Sequence, residues 1–405
     1  MLIQILELLG WLAALGLALL LLLLEVRFGN APRLQALPAE GATEPAVQPG
    51  PFLRVVVPVF NERDNVVDCL EAILASRDPG LPWELVVMDD GSSDGTVDLA
   101  FEAIRLRPET LPLVRILEAG PRPPGERWCG KNWPASRAAA LPCPPGDPSG
   151  QWLLFLDADV RLDPEALAAA LFEASGSAGA LGESSGADLL TLAPRLVCGC
   201  LAEWLVQPIV ASLLGLAFSL EKSNDPSETT AFAAGPFMLF RRRAYEAIGG
   251  HGAVASEVVE DLALARAIKT SGHRLRYLIG TELVAVRMYR NLAALWEGWT
   301  KNWYLGVDRN PAAALGSAGL VLLLYTVPWA LLPLTLLDPA LAAPCGLAIA
   351  LQLSLRVWSR LRFATPITYW WLAALGGLLI ALIVPASIWK TVTGRGWTWR
   401  GRSLA

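Results

Sequence analysis

"LLFLDADV", Leu153 to Val160, runs apolar residues straight into two carboxylates separated by one alanine. Gly150 before it and Asp163-Pro164 after it bound a short element. It reads as a buried parallel strand, Trp152 to Leu156, rather than as part of a core helix. Asp157 and Asp159 then stand at its carboxyl end, the edge of an open α/β sheet where ligands bind. Like charges that close are stable when solvated or bridged by a cation. An exposed loop, or a cap for a helix opened by Asp163 and Pro164, is the alternative.

Upstream, "LRVVVPV" (Leu53–Val59) is an earlier strand that ends in "FNERDN", after which Val66, Leu70, Ile73 and Leu74 recur at helical spacing. Another strand, Glu84–Met88, runs into "DDGSSDGT", Asp89 to Thr96. Its glycines and serines permit a tight turn, and free amides at the following helix start suit an anion. Three strands thus end in polar loops on one edge. Strand-helix alternation of this kind implies a mostly parallel sheet with right-handed crossovers.

The rest of the chain has a different character. Of 405 residues 54% are apolar, which is high for a soluble enzyme, and the excess sits in discrete runs. Leu2 to Leu24 is long enough to cross a bilayer and lacks the basic start and small-residue cleavage site of a secretory leader, so it reads as an anchor. Further apolar segments fall near Ala312–Leu337, Leu341–Leu355 and Ile367–Ile388. The expected organisation is an anchor over residues 1–27, a linker over 28–50, an α/β domain over 51–286, an interfacial segment over 287–310, membrane segments over 311–390 and a basic tail over 391–405. Leu201–Leu220 is also apolar, but a single crossing there would put Asp157 and Asp261 on opposite sides of a membrane, so an interfacial helix is expected. A net charge of −5, with no basic stretch interleaved with aromatics in the central domain, argues against nucleic-acid binding. Six cysteines without a CxxC pair argue against a zinc site, and no repeat of solenoid period occurs.

The ordered set "VVVPVFNE", "LVVMDDGSSDGT", "LLFLDAD" and "VVEDLALA" (Val258–Ala265) resembles family 2 glycosyltransferases of the GT-A fold over about Leu53 to Leu305. The resemblance implies a Rossmann-like domain that takes a nucleotide-sugar donor, with Pro58, Asn61, Glu62 and Asp90 lining the nucleotide. It also implies that Asp157 and Asp159 hold Mg2+ or Mn2+ against the donor diphosphate, and that Asp261 is the catalytic base with Glu260 beside it. Charge favourable to a helix N-terminus is the other reading of Glu260 and Asp261. "RWCGKNW" (Arg127–Trp133) looks like a loop of membrane glycosyltransferases acting on lipid-like acceptors. Lys131 is then a diphosphate or nucleotide contact, or else a solvated lysine, while Trp128 and Trp133 are either core or sugar-stacking. "FAAGPFMLFRRRAYEAIGGH" (Phe232–His251) resembles the acceptor-side segment, with His251 either an acceptor contact or a structural hydrogen-bonder. "RMYRNLAALWEGWTKNWYLG" (Arg287–Gly306) suits a headgroup layer. It lacks a Q-x-x-R-W motif, which puts a processive synthase in doubt. The wider pattern looks closest to bacterial enzymes that glycosylate carotenoid or hopanoid-like lipids.

The function implied is inverting, metal-dependent transfer of a sugar to a membrane-lipid hydroxyl, in the bacterial inner membrane with the domain in the cytoplasm, as Arg27 and Arg33 suggest by the positive-inside rule. Alternatives are a polyprenyl-phosphate sugar synthase and a non-catalytic membrane scaffold or transporter. The tail poses a conflict. Arg356, Arg360 and Arg362 precede the last apolar segment, and Lys390, Arg395, Arg400 and Arg402 follow it. One crossing cannot keep both groups inside, so a re-entrant or interfacial segment and a cytoplasmic tail are expected, with Leu341–Leu355 the weakest span.

Overall fold

The computed structural model describes residues 1–37, 51–105, 112–144, 150–176, 186–395, 398–400 and 402–403. Most of the expected linker, and residues 396–397, 401 and 404–405 of the expected tail, lie outside the described residues. The chain divides into two compact units: an α/β unit of Ala31–Arg195 and Leu220–Val286, and a helical unit of Met1–Asn30, Leu196–Ser219 and Arg287–Ala405.

After α1 (Leu2–Phe28) of the helical unit come β1 (Phe52–Val59), α2 (Val66–Leu74), β2 (Trp83–Asp89), α3 (Thr96–Arg105), β3 (Leu113–Glu118), α4 (Asn132–Ala139), β4 (Gln151–Leu156), β5 (Val160–Leu162), α5 (Ala166–Ser175), β6 (Leu189–Ala193) and the two-residue β7 (Arg195–Leu196). Helix α6 (Leu201–Ala217) belongs to the helical unit. The α/β unit resumes with α7 (Leu220–Asn224), β8 (Phe237–Arg241), α8 (Arg242–Ala247), α9 (Gly250–Ala253), α10 (Glu260–Thr270), β9 (Leu275–Ile279) and β10 (Val284–Val286).

Seven strands form one sheet in the order β3-β2-β1-β4-β8-β6-β9. All neighbours are parallel except β8, which runs against both β4 and β6. The fold is therefore the expected α/β class with a mostly parallel sheet and long apolar helices toward the termini. β1 and β4 are buried along their whole length, as central strands covered on both faces must be. The chain leaves β1 on one side for β2 and β3, then returns to β4 on the other side. That reversal opens a crevice at the carboxyl ends of β1 and β4, where doubly wound sheets bind ligands. One of the largest fully buried side chains in β1 is polar: Arg54 pairs with Glu84 of β2 at 2.5 Å and donates to the carbonyls of Ala138, Leu141 and Pro142, which pins α4 to the sheet.

In the helical unit, α11 (Leu292–Gly306) leads into α12 (Pro311–Val321), a π-helical turn (Leu322–Thr326), α13 (Val327–Leu331), α14 (Ala342–Phe363) and α15 (Ala373–Thr393). Four helical segments among the described residues are long and apolar enough to cross a membrane: Leu2–Phe28, Pro311–Leu336, Pro339–Phe363 and Trp370–Thr393.

Their contacts fix their directions. Gly16 meets Leu324, and Leu6 packs beside Leu331 and Leu334, so Pro311–Leu336 runs antiparallel to α1. Gly10 meets Pro344, while Glu25 accepts from Trp358 and Arg362, so α14 runs parallel to α1. Gly377 lies against Val321, Tyr325 and Thr326, whereas Ser387 and Lys390 bond to Tyr304 and Thr300 of α11. Helix α15 is therefore antiparallel to Pro311–Leu336 and ends near the start of α12. For α14 and α15 to finish at the same end, residues 364–372 must double back, and α15 begins midway, where Thr326 donates to the Ala374 carbonyl at 3.0 Å. Ala364 and Tyr369 take positive φ of 55° and 59° in this reversal, the backbone geometry that stops a helix and turns the chain. The carboxyl ends of α1, α14 and α15 thus share one end of the unit, which places both basic groups of the sequence conflict together.

Candidate active site

The loop after β1 is locked to the loop after β2 by reciprocal bonds. Ser93 N donates to Asn61 Oδ1 and Asn61 N to Ser92 Oγ, both at 2.9 Å, and Glu62 N donates to Thr96 Oγ1 at 2.8 Å. Asn61 adopts φ of 53°, a left-handed conformation that asparagine tolerates better than most residues. Asp89 accepts from the amides of Gly91 and Ser92, which shapes the "DDGSSDGT" turn. Pro58 is buried within β1, opposite Met88. Asp90, 8% exposed, is held at 2.7 Å by the guanidinium of Arg122, which also donates to the carbonyls of Trp128 and Gly130. Arg122 was not marked by the sequence reading; its place in "AGPRPPGERW" gave no periodic or motif signal.

The loop after β4 lies on the same edge. Cys69 of α2 lies under it, 3.7 Å from the Asp157 carbonyl. Burial pushes its thiol up to about 12, Asp159, Glu62 and Asp157 add to the shift and Arg161 opposes it. Carboxylates from the first loop and from the Asp157-Ala158-Asp159 loop thus both lie near the buried Cys69 thiol.

Lys131 gathers the rest. Its ammonium bonds to Asp157 and lies 3.1 Å from Glu260. Burial alone would lower its pKa, but Asp157, Glu260 and Asp261 reverse that and hold it above the ordinary lysine value. The loop carrying Lys131 is strapped in place from behind: Cys129 N donates to the Ala255 carbonyl at 2.7 Å, and fully buried Asn132 donates to the carbonyls of Val254, Ala255 and Glu257. Glu260 and Asp261 open α10, where the helix dipole favours negative charge. Asp261 accepts from Gly235 N at 3.0 Å and from Leu262 N at 2.8 Å. A side chain at Gly235 would stand 2.9 Å from Asp261 Oδ2 and 3.4 Å from Lys131 Nζ, so it would push the Asp261 carboxylate from its place. Burial first, and then the charge of Glu260, raise the Asp261 carboxyl to about 7.

The two tryptophans separate. Trp133 is 9% exposed and donates to the Gly120 carbonyl, while Trp128 meets it edge-on at 4.9 Å and is partly exposed. His251 is 2% exposed, packed against Phe155 and hydrogen-bonded to the Tyr245 hydroxyl at 2.8 Å. Burial, then the charge of Lys131, lower its pKa to about 3, so it is a neutral structural residue of the core.

Among the described residues no group of three or more His, Cys, Asp or Glu side chains is placed to hold a metal. The oxygen donors present suit a cation of the Mg2+ type, which is often held by one or two carboxylates together with substrate phosphates. Asp157 and Asp159 are such a pair, in one three-residue loop, with Asp157 28% exposed toward the crevice.

Residues 54–118, from β1 to the end of β3, match the family model described as Glycosyl transferase family 2. The chain carries a glycosyltransferase family 2 segment. Curated relatives of the chain include the 4,4'-diaponeurosporenoate glycosyltransferases of Staphylococcus aureus. Strain MRSA252 gives 25% identity over 258 residues and strain USA300 gives 24%, each covering 63% of this chain and 61% of the relative. The chain thus matches about three fifths of these relatives' length. Among solved structures, a mannosyltransferase from Pyrobaculum calidifontis in complex with GDP-Man and Mn2+ aligns over 96% of this chain and 99% of its own, at 18% identity and a TM-score of 0.49. Glucosyl-3-phosphoglycerate synthase from Mycobacterium tuberculosis, in complex with Mn2+, UDP and glucosyl-3-phosphoglycerate, aligns over 64% of this chain and 80% of its own, at 19% identity and a TM-score of 0.37.

Proposed function

We propose that the α/β unit transfers a hexosyl group from a nucleotide sugar to a lipid-like hydroxyl with inversion at the anomeric carbon. The observation that carries this reading is the cluster of Lys131, Asp157, Glu260 and Asp261, which combines a cation, a metal-type carboxylate and a carboxyl of pKa about 7 at one sheet edge. Asn61, Glu62 and Asp90 line the nucleotide, with Pro58 shaping the strand end. Asp157 and Asp159 hold Mg2+ or Mn2+, which when bound neutralises charge on the leaving diphosphate. Lys131 moves its bond from Asp157 to a diphosphate oxygen as donor and cation enter. Asp261 accepts the proton of the acceptor hydroxyl as that oxygen bonds to the anomeric carbon and the bond from that carbon to the diphosphate breaks. A base is most effective with a pKa near the working pH, and about 7 meets that condition. Glu260 holds the pKa up and Gly235 N fixes the carboxylate's orientation.

The same reading takes the chain as a multi-pass protein of the inner membrane with the α/β unit in the cytoplasm, where nucleotide sugars are, and the four helices long and apolar enough to cross a membrane support it. That Arg27, Arg362 and Lys390 lie at the one end of the helical unit shared by α1, α14 and α15 supports a cytoplasmic assignment of that end by the positive-inside rule. The relatives' name favours one second reading: their acceptor, 4,4'-diaponeurosporenoate, is named as a carboxylate, and an acceptor already ionised needs no base. Incubating membranes that contain the chain with labelled nucleotide sugars and Mg2+ tests the proposal. Label in the lipid extract, abolished by a chelator, is expected; label only in free sugar or protein contradicts it.

A further inference from the structure

The oxygen of an acceptor hydroxyl carries its own carbon, a proton and two lone pairs. In the transfer reading above, Asp261 takes the proton and one lone pair attacks the anomeric carbon. The second lone pair is left for a donor that fixes the oxygen's orientation. Tyr277 is placed to be that donor.

Tyr277 lies in β9, the last strand in the order of the sheet. Residues 271–274 join the end of α10 to β9, so the strand runs back along the helix toward Glu260 and Asp261. Leu275 shares a core cluster with Leu264, Ala265 and Ile268 of α10. Alternate residues of a strand face the same way, so Tyr277 lies on this side too, closer to the start of the helix. It is 9% exposed, with its ring centroid 5.4 Å from that of Phe232. The chain from Phe232 leads directly to Gly235, whose amide holds Asp261. Thr191, paired with Tyr277 across β6 and β9, donates to the Ala234 carbonyl at 3.1 Å and accepts from its amide at 2.9 Å.

The neighbourhood is clamped. Tyr277 N donates to Asn224 Oδ1 at 2.6 Å, and Asn224 Nδ2 donates to the Tyr277 carbonyl at 2.8 Å, in place of a further strand. Lys269 donates to the carbonyls of Lys222, Asp225 and Thr230, which holds the loop that leads to Phe232. The Tyr277 hydroxyl is the exception. It makes no hydrogen bond to any described residue, and it is not one of the buried polar atoms sealed off without a partner, so it opens on accessible space. Burial first, and then the charge of Asp261, hold its pKa above the ordinary phenol value, so it keeps its proton and lies within the field of that carboxylate.

We propose that Tyr277 contacts the acceptor, its hydroxyl donating to the same oxygen whose proton Asp261 removes. The inference rests on the transfer reading above. Tyr277 keeps its proton throughout, and the clamped ring turns the acceptor's attacking lone pair toward the donor sugar.

The test compares the purified full chain with Tyr277→Phe in nanodiscs loaded with membrane lipid extract, using labelled UDP-glucose or GDP-mannose and Mg2+. The ring stays and no described group loses a bond, so the variant should unfold at the parent's temperature. kcat/KM for the lipid should fall ~10-fold, the worth of one hydrogen bond, while donor affinity by calorimetry stays that of the parent. Label in free sugar relative to lipid should rise by a similar factor, because a misdirected lipid hydroxyl yields to water; a merely structural role would lower both products together. Parent-like kcat/KM and ratio in Tyr277→Phe, or both products reduced at an unchanged ratio, overturns the inference and leaves the transfer reading standing. Weaker donor binding would place the hydroxyl on the donor and overturn the inference as well. A parent chain that labels no lipid overturns the transfer reading, and the inference with it.

Discussion

Replacing Lys131 by methionine isolates what holds the site's carboxylates together. At the 3.1 Å between Lys131 and Glu260, the gross attraction at an effective dielectric of ~20 is about 5 kcal/mol. Desolvation offsets much of it, and the side chains of the cluster are between 13% and 28% exposed. The net cost should therefore fall between the surface and fully buried cases, about 2–3 kcal/mol. The loss must depend on pH. Without the ammonium, the repulsion of Glu260 on Asp261 is no longer offset, so the already raised folded-state pKa of Asp261 rises further. A carboxyl whose folded pKa is raised contributes stability below that pKa, and this contribution is lost as pH rises through it. Lys131→Met should therefore be markedly less stable than the parent at pH 8 and closer to it at pH 5. The same 2–3 kcal/mol corresponds to roughly two pKa units, so the rising limb of sugar transfer, expected near 7 in the parent if Asp261 is the base, should move up by one to two units. Hydrogen exchange of the α4 and α10 amides at the two pH values, together with a pH profile of transfer, measures both effects. Equal destabilisation at pH 5 and pH 8, or an unmoved limb, would refute the reasoning.

Two other outcomes are expected. Asp159→Ala should lose donor affinity and its dependence on Mg2+ together, seen by calorimetry of nucleotide-sugar binding with and without chelator; metal-independent binding equal to the parent would remove the carboxylate pair from the donor site. Single cysteines placed at Ala36 and Arg395, in a background without native cysteines, should both resist a membrane-impermeant reagent in intact cells and both react after permeabilisation; opposite accessibility would contradict the return of α15 to the end shared by α1 and α14.

The sheet's centre was legible because its strands are continuous apolar runs ending in polar turns. Leu53–Val59, Glu84–Met88 and Trp152–Leu156 correspond to β1, β2 and β4 within a residue at each end. The direction of β8 was not legible, since "PFMLFR" reads the same whichever way its neighbours run. In the site, the spacing of Asp157 and Asp159 drew attention at once, but the meeting of Lys131 with Asp157, Glu260 and Asp261 joins residues up to 130 positions apart and depends on Gly235, whose role appears only when a side chain is placed there. Arg122 escaped for the same reason: its partner Asp90 is 32 residues away. Charge counting exposed the conflict between the two basic flanks of the last apolar segment. It could not show that residues 364–372 double back, because that reversal is set by packing against Thr326 and Tyr325.

The central claim is that Asp261 removes the acceptor's proton while other residues bind the donor. Asp261→Asn keeps the size of the side chain and the possibility of meeting Gly235 N, so the most direct measurement is donor affinity and single-turnover transfer to lipid for this variant beside the parent. General-base catalysis contributes ~10²- to 10⁴-fold. Transfer should fall by that factor, with donor affinity little changed and the limb near pH 7 gone. Transfer close to the parent rate, with the limb intact, would contradict the account and point to an acceptor that arrives already ionised.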